Sequence, residues 1–190
     1  MTHDVIVVLA ALGVAGQVLA VLLLLIGLAW LFGLRAPADL LRRTVEGYEL
    51  WLVFLVSSIA TGGSLFFSEI AHFVPCELCW YQRICMYPLT IASLLAALAN
   101  DRRVARYLLP LPLVGAGVST YHLLVENGVV AEPRACLLSA PGGCTVKWIE
   151  EFGYVTIPTL ALTGFLLLIG FLSLAGAGGA EEQATLPAGA

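Results

Sequence analysis

Two cysteines three residues apart stand where an apolar stretch begins, in Pro75-Cys76-Glu77-Leu78-Cys79-Trp80-Tyr81-Gln82-Arg83. Proline suits the first position of a helix, where its missing N–H would lack an intrahelical partner anyway. The spacing therefore predicts Cys76 and Cys79 side by side in a first helical turn. Thiols so placed can form and break a disulfide, and the free amides of a helix start favour the reactive thiolate. Arg83 follows one turn deeper, where a cation in an apolar helix is costly unless it has a function. Two thiols and a cation at a membrane edge read as a redox site.

A second pair, Cys136 and Cys144, brackets a segment containing the turn signal Pro141-Gly142-Gly143. A disulfide here is expected on an exposed, mobile loop. It is either a static brace or, as exposed disulfides tend to be, a labile bond open to exchange. Read together with Cys76 and Cys79, the outer pair is suited to trade electrons with a soluble dithiol, and the inner pair to pass them to an acceptor dissolved in the bilayer. The sequence carries no haem, flavin or iron–sulfur motif. A lipid-soluble quinone is then the expected acceptor, with Arg83 stabilising negative charge on its oxygens.

The rival reading is a zinc site made of all four cysteines. The C-x-x-C supplies one half of it, but the wider spacing of the other pair fits two short knuckles poorly. Cys85, deeper in the same span and on another face, is expected to be a small buried apolar residue. His122 beside Tyr121 is either a functional group, the default for an intramembrane histidine, or a packing residue near the interface. His72 is expected to be an exposed loop residue.

The chain that must position these groups has 190 residues, 60% of them hydrophobic and 12% charged, with a mean hydropathy of +0.95. A soluble domain carries about 25% charged residues, so this is an integral membrane protein. Spans are expected over residues 5–34, 50–67, 78–98, 107–125 and 157–174. The first exceeds the roughly 20 residues needed to cross a bilayer. It lacks the basic start of a signal peptide, having His3 and Asp4 there instead, and is read as a retained helix. Residues 146–154 mix aromatics with charge, either as a headgroup-level segment holding the second cysteine pair or as an ordinary aromatic belt.

Arg35, Arg42, Arg43, Arg102, Arg103 and Arg106 fall in two linkers that the span count puts on one side of the membrane. The positive-inside rule makes that side cytoplasmic. Both cysteine pairs and the N-terminus then lie outside, where disulfides persist.

Cys76-Glu77-Leu78-Cys79-Trp80-Tyr81-Gln82-Arg83 resembles the signature of the disulfide bond formation protein B (DsbB) family. Cys144-Thr145-Val146-Lys147-Trp148-Ile149-Glu150, with Gly153 and Ile157-Pro158 beyond it, is similar to the short-loop BdbC-like branch. The resemblance covers about residues 45–175. It implies an all-α membrane protein: a four-helix transmembrane bundle, here with one additional N-terminal transmembrane helix. It divides the chain into the extra helix and basic cytoplasmic linker (1–44), the redox bundle (45–176) and a disordered tail (177–190).

The same resemblance implies a multi-pass protein of the bacterial cell membrane, an oxidoreductase acting on thiols with a quinone, ubiquinone or menaquinone, as acceptor. Its partner would be an extracytoplasmic thioredoxin-fold dithiol oxidase, with lipid and the quinone pool around it and no nucleic acid. By motif position Cys136 forms the mixed disulfide with that partner and Cys144 is its mate. Cys76 receives electrons from the loop pair, and Cys79 adjoins the quinone together with Arg83 and His122. A vitamin K epoxide reductase-like enzyme is the second reading; there the C-x-x-C follows the loop pair, whereas here it precedes it. Membrane-impermeant thiol reagents applied to reduced intact cells are expected to label Cys136 and Cys144; labelling of both only after lysis would overturn the orientation.

Overall fold

Long apolar runs leave the backbone one solution here, because in hydrocarbon every N–H and C=O must find a partner within the segment or on a neighbour. The computed structural model describes residues 2–185, with side chains to residue 177. Five of its helices are long and apolar enough to cross a membrane. They are α1 (Thr2–Leu31), α3 (Glu49–Leu65), α4 (Glu77–Ala99), α6 (Pro110–Glu126) and α8 (Ile157–Thr185). A π-helical turn, Phe66–Ile70, extends α3, and a 3-10 turn at Arg102–Val104 with the short α5 (Ala105–Leu108) leads into α6. No strand occurs among the described residues beyond a single bridge between Glu151 and Val155.

Three local expectations change. The basic linker after the first span is itself a helix, α2 (Ala36–Val45), with no buried residue. Pro75 does not open α4: Cys76 is its N-cap, in extended conformation, so Pro75 lies one residue before the cap. The tail expected to be disordered from residue 177 continues as helix to Thr185, since Ala, Glu and Gln in this stretch are good helix formers. Residues 186–190 of that tail lie outside the described residues.

α3, α4, α6 and α8 enclose a common core that includes Val53, Leu89, Phe165, Leu168 and Leu172. α8 is its central member, packing on α3, α4 and α6 and, on its outer side, on α1. α6 approaches α8 closely because Gly115 has no side chain: the Phe165 ring occupies the space that a Cβ would need. α1 runs parallel to α8, Gly13 lying against Leu160, Gly16 against Thr163, and Leu23 against Gly170. The Tyr154 hydroxyl donates to Gln17 Oε1 at 2.8 Å and ties α1 to the chain entering α8.

Both ends of the bundle are closed by side chains. At the end bearing the basic linkers, buried Glu49 accepts from the Gly47 amide at 2.9 Å and pairs with Arg102 at 3.7 Å. At the opposite end Phe67, Phe73 and Trp148 stack in series, with centroids 6.0 and 5.2 Å apart. Ile149 is buried beside Ile6 and Phe67. Residues 146–154 are thus folded down onto the helix ends, where they form part of the site wall.

Gly115→Val should lower stability by about 1–3 kcal/mol through overpacking against Phe165. Gly117→Val, on the same helix with open space around it, should be near neutral. Thermal unfolding of both purified variants in one detergent checks this; equal midpoints would remove the close α6–α8 contact as a stabilising feature.

Candidate redox site

A helix start leaves amides without partners, and here one of them receives a residue from a distant loop. The Glu77 amide donates to Ser139 Oγ at 3.0 Å, while Ser139 Oγ donates to the Cys136 carbonyl at 2.9 Å. Ser139 ends the short helix α7 (Arg134–Ser139), which carries Cys136. The loop is thereby stitched to the beginning of α4, and Cys136 and Cys144 pack in one buried cluster with Cys76 and Leu78.

Cys136 and Cys144 form a disulfide, with Cα atoms 5.4 Å apart. Gly142 and Gly143 turn the chain back with φ of 86° and 71°, a conformation that favours glycine. The Glu132 carboxylate accepts from the Cys144 amide. The expectation of an exposed bond on a mobile loop is not met: each of these cysteines is 1% exposed. The reason is that α7 docks its cysteine face on α4, leaving Leu137 and Leu138 outward.

Cys76 and Cys79 are free thiols, with sulfurs 3.1 Å apart. His122, buried on α6, joins the two pairs. Its Nε2 lies 3.2 Å from the Cys144 carbonyl and 3.7 Å from Cys76 Sγ, and its Nδ1 lies 3.3 Å from Gln82 Nε2. A carbonyl can only accept, and the Gln82 amide can supply the hydrogen to Nδ1, so the consistent tautomer carries its proton on Nε2. One helical turn further, buried Glu126 accepts from Thr156 Oγ1 at 2.9 Å. A small chamber of about 20 Å³ lies among Cys76, Cys79, His122, Glu126 and Cys144.

The surroundings of Cys76 favour its thiolate. The hydrogen bond from the Cys79 thiol is the main cause; burial opposes it, and His122 adds to it. The balance lowers Cys76 from an ordinary 9.0 to about 5. The thiolate so favoured is the form that attacks or leaves in thiol–disulfide exchange.

Cys79 borders a second and larger space, an apolar cavity of about 250 Å³ that also contacts Gln82 and Arg83. Arg83 donates from Nη2 to the Ser64 carbonyl at 3.0 Å, and its guanidinium lies 5.1 Å from the centre of the Trp80 ring. Guanidinium has five N–H donors, so this bond leaves others for a ligand. The residues present suit a flat, apolar molecule with polar oxygens: a mostly hydrocarbon chamber, one cation and one thiol at its polar end.

Of the residues singled out from sequence, Cys76, Cys136, Cys144 and His122 gather around the small chamber, and Cys79 and Arg83 meet at the large cavity. His122 thus stands with the thiols and does not line the large cavity. Cys85 is buried in the helical core and His72 is exposed. Sequence reasoning missed Gln82, Glu126, Glu132 and Ser139. A polar residue inside an apolar span and an acidic residue four positions after His122 were the available signals for the first two. Nothing local marks Ser139 or Glu132, whose partners lie across the fold.

The profile of the family described as Disulfide bond formation protein DsbB matches residues 48–175. Disulfide bond formation protein C of Bacillus subtilis is 42% identical over 138 residues, covering 70% of this chain and 94% of its own length. A probable disulfide formation protein of Deinococcus radiodurans is 42% identical over 133 residues, 66% of this chain and 86% of its own length. One from Coxiella burnetii is 38% identical over 137 residues, 72% of this chain and 92% of its own length. No solved structure matches significantly.

Alkylation of Cys76 followed by mass spectrometry should rise through a midpoint near pH 5 and then level off. Protonation below that pH removes the nucleophile. His122→Leu should move the midpoint upward; an unmoved midpoint would show that His122 does not stabilise the thiolate.

Proposed function

The chain belongs to the DsbB family of membrane disulfide-forming proteins, and on that premise we propose that it is a thiol:quinone oxidoreductase. It reoxidises an extracytoplasmic, DsbA-like thioredoxin-fold dithiol oxidase and delivers the electrons to a membrane quinone. The observation that carries this reading is the position of Cys79, which lies on the wall between the thiol chamber and the cavity holding Arg83.

The partner's thiolate attacks Cys136, displacing Cys144 as thiolate; the partner's second thiol then displaces Cys136 and leaves as a disulfide. One thiolate of the reduced loop attacks Cys76 of a Cys76–Cys79 disulfide and expels Cys79. The other loop thiol closes the loop disulfide and expels Cys76, whose low pKa makes it a good leaving group. Each of these steps exchanges one S–S bond for another. The resulting state, loop oxidised and inner pair reduced, is the arrangement described above.

A bound quinone supplies the sink for two electrons and two protons as the Cys76–Cys79 bond re-forms. Arg83 orients its oxygens and stabilises negative charge there, and the apolar lining excludes water. For a two-electron couple about 30 mV corresponds to about 1.4 kcal/mol, so a strongly oxidising partner needs an acceptor of still higher potential. The arginine-rich linkers support placing both cysteine pairs on the extracytoplasmic side. Because the loop disulfide is buried, the partner must lift α7 to reach it. A vitamin K epoxide reductase-like activity is disfavoured by the order of the two pairs.

One observation favours a second reading. The sulfurs of Cys76 and Cys79 and a ring nitrogen of His122 lie within 4.8 Å of one another, a donor set suited to zinc. Cys136 and Cys144, being bonded to each other, cannot complete a four-cysteine site in this state.

Purified protein given a reduced thioredoxin-fold dithiol oxidase should reduce ubiquinone or menaquinone analogues. Cys79→Ser and Cys136→Ser should each abolish turnover, and Arg83→Gln should slow it by about 10²–10³-fold, the usual loss of one charge-stabilising donor. Absence of turnover with either quinone, accompanied by one tightly bound zinc per chain, would replace this function with metal binding.

A further inference from the structure

α1 lies wholly outside the matched residues 48–175, yet it forms one wall of the large cavity. Leu9, Leu12, Gly13 and Gly16 line that space together with Cys79 and Arg83 of α4. The helix is seated firmly enough to be a wall. Ala10 is fully buried, Gly13 and Gly16 allow close contact with Leu160 and Thr163 of α8, and Gln17 is held by Tyr154. Toward α3 the fit is looser. Leu9 stands where a Cβ on Gly63 would only touch it, and Leu12 and Ile59, which also border the cavity, are 50% and 43% exposed. The cavity therefore carries the polar groups of Gln82 and Arg83 on α4 and has exposed lining at Val74 before α4 and at Leu12 and Ile59. The last two make an opening between α1 and α3 toward the surroundings of the bundle, which for these helices is lipid.

Size sets the second constraint. Pockets that hold a whole drug-sized ligand run to about 300–1,000 Å³, and this one is about 250 Å³. It accommodates a ring system but not a long hydrocarbon chain attached to it. A ring whose oxygens face Arg83 must send such a chain outward, and the mouth rimmed by Leu12 and Ile59 is apolar.

We infer that α1 and α3 frame a lateral portal through which the isoprenoid tail of the quinone leaves the acceptor cavity, with Leu12 and Ile59 as its rim. This inference rests on the quinone reading above and assigns the additional helix a part in selecting tailed acceptors. Apolar contact along the portal strengthens binding of a tailed quinone in proportion to the area it buries; a tail-less quinone gains nothing from it.

The test compares long-tailed menaquinone with a tail-less naphthoquinone in the full-length protein supplied with reduced partner. Leu12→Trp and Ile59→Trp should each raise the ratio of the two KM values, long-tailed over tail-less, by roughly tenfold, the scale of a steric change in an apolar pocket. A second readout needs neither a variant nor turnover. A quinone with a photoreactive group on its tail should cross-link, in the wild-type protein, to α1 between Leu9 and Gly16 or to Ile59, as located by mass spectrometry. An unchanged KM ratio in both variants, or cross-links confined to the faces of α4 and α6, would overturn the portal while leaving the quinone reading intact. Failure of the wild type to reduce either quinone would overturn the reading on which the portal rests.

Discussion

The whole site depends on the docking of one loop onto one helix start. An unpaired amide at the beginning of α4 and a hydroxyl at the end of α7 satisfy each other, and the same hydroxyl holds the carbonyl of Cys136. A net hydrogen bond of this kind contributes only about 0.5–1.5 kcal/mol. Its effect is mainly geometric: it fixes which sulfurs face each other. With the loop seated, the disulfide and the C-x-x-C share a buried cluster, and His122 bridges the two through the Cys144 carbonyl and the Cys76 sulfur. Without it, the exchange between pairs would bear the entropy of closing a flexible loop.

Burial of the loop disulfide and the proposed exchange with a soluble partner make opposing demands. A bond that is 1% exposed at each end is protected from stray thiols, but in the proposed relay it would have to be uncovered for every turnover. A small apolar cluster with Leu78 and Val125 holds it in place, together with a few polar contacts: Ser139 to α4, His122 to the Cys144 carbonyl, and Glu132 to the Cys144 amide within the loop. Each polar contact can be exchanged for a bond to water if the loop lifts, whereas the apolar cluster resists lifting in proportion to its area. Leu137 and Leu138 remain outside this interface, which keeps its apolar part small.

Legibility in the sequence follows the range of the interactions. The five spans are readable because hydrophobicity and length act locally, and the C-x-x-C with Arg83 is readable because three residues and one turn determine which groups share a helix end. The family signature adds the order of the two pairs. What cannot be read depends on contacts across the fold. Pro75 misleads because proline suits both the first helical position and the residue before a cap, and an extended Cys76 makes the choice. Glycine and proline in its turn suggest a mobile loop, but its burial is decided by Ser139 and Glu132, whose partners are distant in sequence. The first helix has no visible purpose in the sequence, since its glycines acquire meaning only opposite Leu160 and Thr163.

The division of the interior into two chambers bears on how electrons are directed. Cys79 contributes to both, whereas Cys76, Cys144 and His122 border only the small one and Arg83 only the large one among their described lining residues. A ligand in the large cavity therefore meets one cysteine sulfur of the four, and in the proposed relay the loop cysteines would give up electrons by exchange through Cys76. That order matters for a chain of disulfide exchanges, because a quinone able to oxidise the loop pair directly would bypass the inner pair and its coupling to His122. The charges are divided in the same way. The imidazole stands beside the sulfur that must be a stable thiolate, and the guanidinium lies at the wall where negative charge would be received. In a medium of low dielectric such placement is worth far more than in water, and it requires no rearrangement when charge moves. Separate chambers with one shared sulfur would give the proposed relay its direction by geometry, while the relative potentials of partner and acceptor would supply the driving force.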